Sequence, residues 1–168
     1  RPLVCLNPAG GWPTKQWPLG RYEALGKRLA TEARAQLVLL GAGEMLPRVS
    51  ALARRLAPDA VDLAGETTPD LAMAVLARAS LAVSDDSGLM HLAWVQGVPT
   101  LALFGSTRAT WSRPLGPATD GFYSEDLACG ACMRPVCARE DLHCLDRVTV
   151  DAVLSRALDL LRNRRPTP

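Results

Sequence analysis

Short apolar runs recur along the chain at Leu3 to Leu6, Leu37 to Leu40, Val61 to Leu63, Leu81 to Val83 and Thr100 to Phe104, and most of the segments between them carry apolar residues at helical spacing. Tyr22, Leu25 and Leu29 make one such stripe, opened by Pro18, whose missing N–H is no loss in a first helical turn. Leu46, Val49, Ala53 and Leu56 make the next, closed by Pro58. Thr68, Pro69 and Asp70 combine a capping oxygen, a fixed φ and a charge suited to the helix dipole, and predict a helix through Leu76 and Ala79. A further helix is predicted from Gly88 to Gln96, with Gly97 free to take the left-handed stop. The clearest amphipathic pattern, Val150, Val153, Leu154, Ala157, Leu158 and Leu161, predicts a last helix over 150–163. Strands apolar on both faces and separated by helices imply a parallel sheet covered on both sides. The expected class is α/β, a Rossmann-like doubly wound fold.

A chain of 168 residues, 48% hydrophobic, suffices for one core, so a single domain over 1–168 is expected, carrying a cysteine-rich loop over 125–147. The 19 basic and 17 acidic residues are interspersed and give a net charge of +2, which provides no field for nucleic acid. The one basic cluster, Arg162, Arg164 and Arg165 around Asn163, reads as a solvated helix end. With no run of eighteen apolar residues and no secretory signal pattern, a cytoplasmic protein with at most peripheral membrane contact is expected. The chain opens on Arg1 and enters a strand pattern almost at once, which suggests a segment of a longer polypeptide.

In a doubly wound sheet, ligands bind beyond the carboxyl ends of the strands, so the residues after each apolar run carry the chemistry. After the first run comes NPAGGWPTKQWP (7–18), in which Gly10 and Gly11 permit close backbone approach and Lys15 offers a point charge. After the second comes GAGEM (41–45), with Glu44 near a helix start. After the fourth comes the SDDSG stretch, where Asp86 or Ser87 would cap the next helix and leave amides near Gly88 facing outward, a site for an anion such as a diphosphate. The bland alternative is that Asp86 only caps and Gly88 only permits tight packing. A nicotinamide dinucleotide is disfavoured, because NPAGGW lacks the G-x-G-x-x-G fingerprint and GAGEML has two of its three glycines. A G-x-x-x-x-G-K-[ST] phosphate loop is absent as well.

Cys129, Cys132, Cys137 and Cys144 fall within sixteen residues as C-x2-C-x4-C-x6-C, whereas Cys5 reads as a small core residue. Four thiols this close could complete a tetrahedral structural site, zinc first or an iron–sulfur cluster, with His143 able to replace one of them. Reduced loop cysteines are the alternative. On spacing alone the cluster is expected to stand apart from the nucleotide loops.

Taken together, NPAGGWPTKQWP, the GAGE turn, the block LAGETTPDLAMAVLARASLAVSDDSGLMHLAWVQGVPTLALFGST and the later cysteines resemble the C-terminal half of the family 9 glycosyltransferases, the ADP-heptose:lipopolysaccharide heptosyltransferases. The resemblance covers nearly the whole chain, and S-D-D-S-G-x-x-H-L-A is its most specific part. It implies the donor-binding half of a two-domain GT-B enzyme that binds ADP-heptose and transfers the heptose, with inversion and without a catalytic metal, to the lipopolysaccharide inner core. It places Lys15 on the diphosphate, Glu44 on the ribose hydroxyls, Thr67 beside the adenine, and Asp86, Ser87 and Gly88 on the phosphates and sugar, with His91 matching a recurrent histidine. The family's proposed base belongs to an N-terminal acceptor domain outside this chain, so no catalytic residue is assigned here and the chain alone is expected to be inactive. Two other readings remain open, a nucleotide-sugar epimerase of the same architecture and a non-catalytic nucleotide-binding or metal-loop module.

Overall fold

The computed structural model describes residues 1–163; Arg164 and Arg165 of the basic cluster lie outside the described residues. Six parallel strands, β1 (Leu3–Asn7), β2 (Gln36–Leu39), β3 (Ala60–Asp62), β4 (Leu81–Asp85), β5 (Thr100–Leu103) and β6 (Thr119–Phe122), form one sheet in the order β3-β2-β1-β4-β5-β6. Chain order reverses between β1 and β4. Val4 is level with Leu37 on one side and with Leu81 on the other, which sets the register of the central strands.

The two-residue period of the strands divides the core. Val4, Leu6, Leu37, Leu39, Leu81, Val83, Leu101 and Leu103 pack under α1 (Leu19–Glu32), α2 (Leu46–Leu56) and α7 (Val150–Arg162), whereas Cys5, Val38, Leu40 and Ala82 face α3 (Pro69–Leu76) and α4 (Gly88–Trp94). Cys5 is indeed core, and burial pushes its thiol up to about 12. The expected cap forms at Thr68, whose side chain accepts from Leu71 N–H at 3.3 Å, and Thr149 caps the last helix in the same way, accepting from Ala152 N–H at 3.3 Å.

Several boundaries differ from the sequence pattern. The third helix ends at Leu76 rather than Ala79, the residues from Ala77 to Ala79 forming a turn whose N–H groups still reach back to carbonyls of the last helical residues. The fourth ends at Trp94 rather than Gln96, because Gly97 takes φ +75° and draws the preceding N–H groups into tighter bonds. β6 has no apolar run to announce it, since its sequence is TDGF. It is an edge strand paired only with β5, and Asp120 on it is bridged by Arg156 of α7 at 3.0 Å. Two four-residue helices also escape the pattern, α5 (Ala109–Ser112) and α6 (His143–Asp146), the second falling inside the segment expected to be all loop. No helix among the described residues is long and apolar enough to cross a membrane.

Candidate functional site

At the carboxyl edge of the sheet, the loop after β1 is held from beneath by the last residue of β4. Asp85 is fully buried; its Oδ2 accepts from Gly10 N–H at 3.2 Å, and its Oδ1 accepts from Trp17 N–H at 3.1 Å and from the Tyr22 hydroxyl at 3.0 Å. One carboxylate therefore grips both ends of the loop. Arg48 of α2 closes it from the side, donating to the carbonyls of Pro8 at 2.9 Å and Trp17 at 2.6 Å. Burial pushes the Asp85 carboxyl up to about 7, opposed by the Trp17 amide, the Arg48 charge, the Tyr22 hydroxyl and the Gly10 amide.

On this frame Lys15 reaches across the point where strand order reverses. Its ammonium lies 2.9 Å from Asp86 Oδ2 and 4.3 Å from the centre of the Trp12 ring. The same Asp86 oxygen accepts from the Thr107 hydroxyl at 2.7 Å. Both open readings of the helix cap are thereby resolved: Ser87 is the cap, accepting from Met90 N–H at 3.5 Å, while Asp86 looks back to Lys15 and Thr107. Ser87 is itself fixed by Asn7, whose amide donates to Ser87 at 2.7 Å and to Ser84 at 2.8 Å. Asn7 Oδ1 is, among the described residues, the buried side-chain oxygen left without a partner. Gly88 does not serve tight packing, for a Cβ there would meet open space. His91, one turn into α4, accepts from Trp94 Nε1 on Nδ1 at 3.1 Å.

Glu44 and Thr67 lie on the neighbouring rim loops, after β2 and β3. Glu44 is exposed in a single 3-10 turn (Gly43–Met45), and Thr67 is half-buried just before the cap of α3. The loops are tied in sequence: Gln16 donates to Met45 Sδ at 3.6 Å, and Gly65 N–H donates to Gly41 O at 2.8 Å. The structure thus brings Lys15, Asp86, Ser87 and Gly88 to one point and sets Glu44 and Thr67 along the same edge.

Sequence reasoning missed Asp85, Arg48, Ser106 and Thr107. The signal for Asp85 was its place as the last residue of a strand buried on both faces, where a carboxylate persists only if several donors converge on it. The loop after β5 lies against the first: Ser106 N–H donates to Thr14 O at 3.0 Å, and a Cβ on Gly105 would sit 1.9 Å from that carbonyl oxygen, so only glycine fits.

The four clustered cysteines are free thiols around one cavity of about 290 Å³, together with Arg139, Asp141 and His143. They stand around it without converging: among the described residues no three His, Cys, Asp or Glu side chains are gathered closely enough to hold a metal ion. Backbone amides of Leu142, Arg139, Glu140 and Asp141 hold the Cys137 thiol below its ordinary value, whereas burial raises that of Cys144. The cavity does not stand apart from the carboxyl-edge loops as expected, since Thr14 of the loop after β1 and Gly105 and Ser106 of the loop after β5 form its other wall.

A family model, glycosyltransferase family 9 (heptosyltransferase), matches residues 1–143. The chain belongs to that family. It is 33% identical over 120 residues to lipooligosaccharide heptosyltransferase 2 of Haemophilus influenzae, covering 68% of this chain and 34% of that protein. It is 34% identical over 122 residues to lipopolysaccharide heptosyltransferase 2 of Escherichia coli K12, with the same coverage. The solved structure of E. coli ADP-heptose lps heptosyltransferase II superposes with a TM-score of 0.80 at 27% identity, over 96% of this chain and 47% of that one. A family 9 structure from Veillonella parvula, at 21% identity and a TM-score of 0.85, shares the fold. These neighbours place the sheet as a Rossmann-like unit of the GT-B kind. The matched region spans between 34% and 51% of the length of the first curated relatives.

Proposed function

We propose that the chain is the donor-binding, C-terminal half of an inverting heptosyltransferase of lipopolysaccharide inner-core synthesis, and that ADP-heptose lies across the crevice between β1 and β4. The observation that carries this reading is the Lys15–Asp86 pair at the point of strand reversal, where an open-faced α/β sheet binds its ligand. Membership of family 9 favours glycosyl transfer over the epimerase reading.

In this assignment the bond from the anomeric carbon to the diphosphate breaks as the acceptor hydroxyl attacks from the opposite face. Negative charge grows on the departing ADP, and Lys15, already held in place, stabilises it there more than in the ground state. Asp86 repels phosphate, so its part is to hold Lys15 and, at most, to accept from a sugar hydroxyl. Ser87 and Gly88 border the phosphates, Glu44 takes the ribose hydroxyls, Thr67 lies beside the adenine, and His91 lines the sugar side. The hydroxyl proton goes to a base in the other half of the enzyme, which also binds the lipopolysaccharide acceptor. The reaction needs no catalytic metal, and it takes place at the cytoplasmic face of the inner membrane through peripheral contact.

Calorimetric titration of the chain with ADP, UDP and GDP tests the assignment. ADP is expected to bind tightest. Equal, weak binding of all three would remove the adenine site, and heptose transfer by the isolated chain would place the base within it.

A further inference from the structure

The wall shared by the cysteine cavity and the first loop is a continuous run of hydrogen bonds. Trp12 Nε1 donates to Ser106 Oγ at 3.2 Å, the Ser106 and Thr14 hydroxyls are 2.8 Å apart, and the Thr14 hydroxyl donates to Arg134 O at 2.5 Å. Met133 N–H returns to Ser106 O at 2.8 Å. Thr14 is buried and directly precedes Lys15; Met133 and Arg134 directly follow Cys132. The backbone between the cysteines is also strained, with Ala131, Met133, Glu140 and Leu142 all at φ between +45° and +61°. Strained backbone persists only where its surroundings fix it, and here those are the bonds to Thr14, Ser106 and Ser124 on one side and four thiols about a cavity on the other.

We propose that Cys129, Cys132, Cys137 and Cys144 take up one soft divalent cation, with zinc as the test ion because thiolates suit it, and that Thr14 couples this occupancy to the donor crevice. The second part rests on the donor reading above. Four thiols that already surround the cavity close on the ion, giving up their protons, and the closure pulls on the 132–134 backbone. Because that backbone hangs on Thr14 and Ser106, the pull is delivered one residue from Lys15 and steadies the loop that carries it. Coupling of this kind is reciprocal: zinc tightens ADP binding by the same factor by which ADP tightens zinc binding.

The test uses the full chain, reduced and stripped of metal. One equivalent of zinc is expected to bind and to silence four thiols toward a colorimetric thiol reagent. ADP affinity is expected to rise by about five-fold or more with zinc bound, in the ordinary range for coupled sites. Thr14→Val should still take one zinc but show ADP affinity that no longer depends on it, and Thr14→Ser should restore the dependence. Four reactive thiols in the presence of micromolar zinc would overturn the proposal, as would zinc binding that leaves ADP affinity unchanged, or full coupling in Thr14→Val. If ADP binds in neither state, the donor reading fails, and hydrogen exchange of the wild-type chain decides the coupling: zinc slowing exchange at the amides of residues 10 to 17 supports it, and unchanged exchange there overturns it.

Discussion

The loop after β1 and the cysteine segment meet at Thr14 and Arg134, both lack regular structure over most of their length, and they are held by opposite means. The first loop is anchored from inside the protein. A fully buried carboxylate takes its two ends, a guanidinium takes two of its carbonyls, and Trp17 at its end is fully buried with its indole N–H on Val148 O at 2.9 Å. The cysteine segment is mostly exposed, has four residues in the left-handed region, and between Cys129 and Cys137 is bonded to the body at Ser106, Thr14 and Ser124. Irregular backbone is precise where regular elements extend charged groups into it. Where they do not, order has to come from a cross-link.

Asp85→Asn breaks the first arrangement and is expected to have the largest effect, about 2 to 4 kcal/mol off the unfolding free energy, because an amide NH2 must now face a backbone donor. The wild type has a matching pH signature. The unfolded carboxyl loses its proton near the ordinary 3.8 and the folded one near 7. Between those values the folded state binds more protons, so on this group's account stability falls as pH rises from 5 to 8. Urea unfolding at the two pH values should show that fall in the wild type and lose it in the variant. A variant as stable as the wild type would mean that the loop does not depend on Asp85.

Much of this division was legible in the sequence. The five apolar runs and most helix starts were, because fully buried strands and capped amphipathic helices are dictated locally by residue type. Strand β6 was not, since an edge strand needs no apolar run, and neither was the clamp. The place of Asp85 at the end of a doubly buried strand marks a carboxylate that needs donors, but not that these are the amides of the first loop while Asp86 turns to a lysine, because that choice belongs to the register of β4 against β1. The contact between the cysteine segment and Thr14 spans 120 positions and leaves no periodic trace.

Lys15→Ala comes next in size. The loss of a charged hydrogen-bond donor should weaken ADP binding by about 1 to 3 kcal/mol and flatten its salt dependence. Read from sequence alone, such a change should hardly alter stability. The pair with Asp86, a carboxylate only 8% exposed, says otherwise: removing its cation leaves that charge to Thr107 alone and should cost about 1 kcal/mol. Calorimetry and denaturant unfolding on the same variant separate the two effects, and an unchanged ADP affinity with a lowered midpoint would make Lys15 purely structural.

Cys129→Ser in the metal-free chain should have the smallest effect, and it sharpens the comparison from the other side. Cys129 is exposed and its neighbours make few bonds to the sheet, so global stability should move by less than about 0.5 kcal/mol. Protease susceptibility reports local opening rather than global unfolding, and in both proteins the first cuts should fall between residues 125 and 142, at similar rates, while the clamped first loop stays whole. The two loops would then be ordered by different means on one rim, one by the fold and one by what its thiols hold. A drop of more than about 1 kcal/mol on replacing this single exposed thiol would show that the cysteine segment is already part of the cooperative core without any ion, and the contrast with the Asp85 clamp would disappear.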